Sequence, residues 1–90
     1  MSKTYTIVEK SQNNQLGKGA GWWFVLQGKF DTMAPLSFVE QPASITLKDN
    51  SMQAVIVADA QVRNGVLSVK LDGVDGHAVG RPAELIVGTP

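Results

Sequence analysis

Short stretches of this chain alternate apolar and polar residues with a period of two, the spacing of a β-strand with one face in a core. From Trp22 to Phe30, Trp22, Phe24, Leu26 and Phe30 share one side, while Trp23, Val25, Gln27 and Lys29 share the other. Thr4 to Lys10 is rich in β-branched residues and predicts the first strand. Short strands are expected at Ser37 to Gln41, ended or demoted to an edge by Pro42, and at Ser44 to Lys48. Ala83 to Val87 predicts the last strand. Ser11 to Gly21 is polar, Gly-rich and without period, and reads as the longest loop.

The sharpest local signal is Asn64-Gly65. This pair favours a type I′ turn because both central residues need positive φ. Pairing outward from it sets Arg63 opposite Val66, then Val62–Leu67, Gln61–Ser68, Ala60–Val69, Asp59–Lys70 and Ala58–Leu71. One face collects Val62, Ala60, Ala58, Leu67, Val69 and Leu71; the other carries an Asp59–Lys70 ion pair. A helix over Met52 to Arg63 is the rival, with Ser51 as cap and Gly65 as stop. Val55, Ile56, Val57 and Val62 weigh against it, since β-branched residues lose rotamer freedom in helices. Asp72 to Gly80 is a Gly-spaced run of turns. About seven short strands with turns every 8–12 residues or so predict one all-β domain over residues 1–90, a small antiparallel β-sandwich or barrel.

Composition narrows the functions. Eight Lys and Arg balance eight Asp and Glu, and charged residues are only 18% of the 90. Neutrality argues against a nucleic-acid partner and suggests weak protection of the free monomer from association. The absence of Cys excludes disulfide scaffolds and thiolate metal sites, and a single His excludes mechanisms that need two. The N-terminal residues hold no apolar signal region, and the longest apolar runs are too short to cross a bilayer, so a protein of the cytoplasm is expected.

Candidate chemistry is sparse. Gly17-Lys18-Gly19-Ala20-Gly21 invites a phosphate-loop reading, but the glycines run into a strand at Trp22 instead of a helix N-terminus. Asp72, Asp75 and His77 could hold a divalent cation, yet Asp-Gly steps are ordinary turn chemistry and the spacing is not that of an EF-hand. His77 has no evident orienting partner for nucleophilic catalysis, so neither an enzyme nor a cofactor is expected. Trp22-Trp23 is more informative, because adjacent strand residues point to opposite faces. With Trp22 in the core, Trp23 points outward beside Val25 and suggests a contact surface. Val55 and Val57 lie opposite the Ile56, Ala58, Ala60 and Val62 face, which makes this strand apolar on both sides and suggests cover by a second subunit. The expected interface is therefore Trp23 and Val25, Gly17, Lys18 and Gly19 of the loop, and Val55 and Val57.

Asp72 to Gly80, Asp-Gly-Val-Asp-Gly-His-Ala-Val-Gly, resembles a turn-and-strand segment of small head-decoration proteins of tailed phages. The resemblance covers these nine or so residues and carries over no functional residue. It implies a virion subunit, assembled in the host cytoplasm, that caps or cements a larger shell, often as an oligomer. Its partners would be other protein subunits, the major capsid protein among them, with no nucleic acid and no membrane. The alternative is a small β binding module that takes a glycan or protein ligand on the Trp23 face.

Overall fold

The structure, a computed structural model, describes residues 2–13 and 21–88. Among these, six strands close into an antiparallel barrel: β1 (Lys3–Asn13), β2 (Gly21–Leu26), β3 (Pro42–Thr46), β4 (Met52–Arg63), β5 (Val66–Asp72) and β6 (Ala83–Val87). Their order around the barrel is β1-β2-β5-β4-β3-β6. Closure is made by β6, which pairs with β1 on one side and β3 on the other. The all-β antiparallel expectation holds, and the barrel is the form it takes. Each strand sends one residue to the centre: Ile7, Phe24, Ile45, Val57, Val69 and Leu85 are all fully buried. Burial of each such side chain contributes about 1.5–3 kcal/mol relative to exposure.

β1 and β4 are the long strands, and each is bent by a bulge. Register slips by one residue between Ile7 and Glu9 on β1, and between Val57 and Asp59 on β4. Each strand serves two neighbours, one on either side of its bulge. β1 pairs with β6 over Lys3 to Ile7 and with β2 over Ile7 to Asn13. β4 pairs with β3 over Met52 to Ile56 and with β5 over Ile56 to Arg63. The bulges are thus corners between two walls of a flattened barrel, whose thinnest extent is 21 Å.

The β4 corner corrects the expected faces. The Asn64-Gly65 hairpin pairs as predicted from Arg63–Val66 to Asp59–Lys70. Beyond it, Ala58 is the extra residue and Leu71 meets Val57, not Ala58. A one-residue insertion reverses which side chains face inward. Val55 and Val57 therefore join Ala60 and Val62 on the barrel interior, and Ile56 turns out to solvent at 48% exposure. Val55 and Val57, at 4% and 0% exposure, are core residues and no part of an interface, and the outer apolar face of this stretch is carried by Ala54 and Ile56.

A second correction concerns Ser37 to Gln41. Instead of a strand, the chain makes a 3-10 turn at Ala34–Ser37, with Pro35 setting φ in its first turn. Asp31 starts the reversal by accepting the Met33 amide at 2.9 Å. Phe38 then drops into the barrel mouth against Tyr5, 5.1 Å between ring centres, and Phe30, 6.1 Å. Filling that mouth with one ring outweighs the local alternation. Pro42 opens β3, a position where its missing N–H removes no rung. Met52 to Arg63 is strand throughout. Among the described residues no helix is long and apolar enough to cross a membrane.

Candidate functional site

A closed barrel without an open edge strand cannot readily add a partner's strand, so recognition falls to outward side chains and to the two mouths. The first wall is formed by β2 and β5 with the second halves of β1 and β4. Its outward rows are set by register: Ser11, Trp23, Lys70 and Asp59 run in one line, and Glu9, Val25, Ser68 and Gln61 in the next. Trp23 and Val25 are each half-buried and stand together on this wall. The Lys70 stem runs along the strand to Gly21, where a Cβ would lie 3.1 Å from its Cε. Asp59, opposite Lys70, accepts the Ala60 amide at 2.8 Å. Register therefore sets Lys70 beside the indole and Asp59 one strand further on.

The second wall is formed by β6 and β3 with the first halves of β1 and β4. Register sets Thr4, Ile86, Ser44 and Ala54 in one outward row. Met52 and Ile56 flank Ala54 on β4, at 51% and 48% exposure, and Val8 at the β1 corner is 37% exposed. Thr46 faces outward beside Met52, its Oγ1 3.6 Å from the Met52 sulfur. Among the strand residues facing outward on this wall, Glu84 is the single charge.

The mouths differ from the walls and from each other. Where β1 begins, Tyr5, Phe38 and Val87 line a shallow groove of about 300 Å³ with Lys3 at its rim. At the opposite mouth, a 3-10 turn at Gly76–Ala78 lies across the end of the barrel. The Trp22 ring rests on Gly76, where a Cβ would sit 2.0 Å from Cδ2, so only glycine fits. The Lys10 ammonium donates to the Gly76 carbonyl at 2.7 Å and the Val79 carbonyl at 2.6 Å, 5.8 Å from the Trp22 ring centre. Desolvation lowers the Lys10 pKa, helped by the nearby Lys48 and Arg81 and opposed by Asp75. Asp75 accepts the His77 amide at 3.0 Å, and that bond holds its carboxyl below the usual range. Its Oδ1 also lies 3.0 Å from His77 Nδ1, a pair too exposed to add much. Asp75 thus uses its carboxylate on its own turn. Among the described residues no three His, Cys, Asp or Glu side chains gather as metal ligands would.

Of the expected interface residues, the structure brings together Trp23 and Val25. It sends Val55 and Val57 to the core. Gly17, Lys18 and Gly19 lie outside the described residues. Sequence reasoning missed Ile56 and Met52 as surface and Lys10 as a structural donor. For Lys10 a signal exists only in hindsight of the bulge: skipping Val8 puts it in the same inward row as Ile7, opposite Phe24.

No family model, curated protein or solved structure matches this chain.

Proposed function

We propose that this chain is a structural subunit of an assembled particle and acts through its contact surface, a decoration protein of a phage capsid being the form the Asp72 to Gly80 resemblance implies. The observation that carries the reading is Trp23 beside Val25 on an outer wall of a small barrel whose interior is filled by its own side chains. A rigid aromatic beside an aliphatic residue, ringed by Lys70, Asp59 and Glu9, is the make-up of an interface anchor with a polar rim. Among the described residues, the grooves lined by Tyr5 and Phe38 are open at the surface.

The test is co-sedimentation with assembled phage shells through a density gradient. The chain should travel with the shell at a fixed ratio, and Trp23→Ser should lower occupancy at least about tenfold. A chain that stays at the top of the gradient, with Trp fluorescence shifting on titration with soluble glycans, would replace this reading with the binding module.

A further inference from the structure

We infer that the groove between the β3–β4 turn and the segment leading into β6 is an anion site that takes a small phosphate- or sulfate-type oxyanion. Turn and segment are tied together where the Lys48 amide donates to the Ala78 carbonyl at 2.8 Å. The groove beside this tie has a volume of about 280 Å³, with Lys48 and Asn50 lining it from the turn and Gly80 and Arg81 from the segment. Among the described residues, two cations line it and no carboxylate does. The turn is closed by backbone bonds, Asn50 N–H to the Leu47 carbonyl at 2.9 Å and Leu47 N–H to the Ser51 carbonyl at 2.8 Å, so the Lys48 and Asn50 side chains are not spent on holding it.

The neighbouring carboxylates are committed elsewhere. Asp49 accepts the Ser51 amide at 2.9 Å and the Ser51 hydroxyl at 2.5 Å. Asp75 accepts the His77 amide at 3.0 Å. Glu9 takes Nη1 of Arg81 at 3.2 Å, in a pair more than half exposed on both sides. That leaves most of the guanidinium fork for another acceptor. Among the described residues no carboxylate lies within ion-pair reach of Lys48. Lys48 and Arg81 also act together on Lys10, adding to the desolvation that lowers its pKa. Three cations thus repel one another at this mouth, and an anion in the groove relieves them. Cations from two separate elements with a neutral amide beside them suit an oxyanion with acceptors on every side. A nucleic acid needs a longer run of cations than these two. The site lies apart from Trp23 and stands or falls without it.

The experiment is a titration of the chain with sodium phosphate from about 0.1 to 30 mM, a range that brackets weak binding, at fixed ionic strength and pH, followed by amide chemical shifts. The amides of Lys48, Asn50, Gly80 and Arg81 should move together along a saturating curve with a dissociation constant of about 1 mM. Lys48→Gln and Arg81→Gln should each raise that constant at least about fivefold. Glu9→Gln should lower it about twofold, because it releases the guanidinium from a competing carboxylate. Lys29→Gln, at an exposed cation outside the groove, should leave it unchanged. The dispersion of each variant's spectrum shows whether the barrel persists, and either groove variant alone suffices. A second arm separates a free anion from a lipid headgroup: the chain should not pellet with vesicles of phosphatidic acid in phosphatidylcholine. Shifts that stay linear to the end of the titration overturn the inference. So do shifts unaffected by both groove variants, a loss with Lys29→Gln equal to that with Lys48→Gln, or pelleting with the vesicles.

Discussion

The two mouths of the barrel do the same work by different chemistry. One is closed by rings: Phe38, 4% exposed, packs on Tyr5 and Phe30. The other is closed by a cation: Lys10 ties down the Gly76 and Val79 carbonyls beneath Trp22. An apolar plug is worth its buried area and does not depend on pH. A cation on carbonyls is worth its hydrogen bonds less its desolvation, and it is sensitive to whatever charges surround it. The contrast shows that an inward row may end in a charge where backbone acceptors are waiting.

The largest effect that bears on this contrast is Phe38→Ala. Removing a buried ring costs about 3–5 kcal/mol, and the lower end applies because water can reach this site through the neighbouring groove. Urea unfolding should show a midpoint lowered accordingly. Lys10→Met keeps the stem and removes the donor, so the Val79 carbonyl loses its charged partner; the expected cost is about 1–2 kcal/mol. It should also shift Trp22 emission, whereas Phe38→Ala should not. A silent Lys10→Met would mean that Trp22 on Gly76 closes this mouth alone.

The smallest effect is in acid. The Asp75 pKa is lowered in the folded protein, chiefly by the His77 amide. The unfolded state therefore binds the proton first, and stability rises with pH through this window. The contribution is whole above the ordinary aspartate value of about 4 and is lost as pH falls through the lowered folded value. Asp75→Asn should flatten the acid limb of a stability–pH curve, read as unfolding midpoint against pH. Hydrogen exchange should show the Val79 amide losing protection in acid before that of Phe38, which sits at the mouth closed by rings.

What was legible in the sequence was local. The Asn64-Gly65 turn fixes its own register, and Phe24 and Leu26 declare their face by alternation with Trp23 and Val25. What was not legible depends on distant partners. Closure rests on β6 meeting both β1 and β3, pairs far apart along the chain. Phe38 leaves the strand pattern because two rings from elsewhere receive it. Val55 and Val57 were misplaced because Ala58, a small residue in an unbroken apolar run, gives no sign that it is skipped. Trp23 faces outward as its alternation with Trp22 and Phe24 predicts, because its immediate neighbours suffice to orient it.

The skipped Ala58 behaves as a shift of reading frame in a two-letter alphabet of inside and outside. Upstream of it the even-numbered residues Met52, Ala54 and Ile56 face out; downstream the odd-numbered Asp59 and Gln61 do. Val8 is the compensating shift on β1. Together they let one shared interior carry two unlike exteriors, one charged and one bare. Deleting Ala58 alone would keep Val55, Val57, Ala60 and Val62 in one alternating frame but remove the extra residue that bends β4 from one wall into the other.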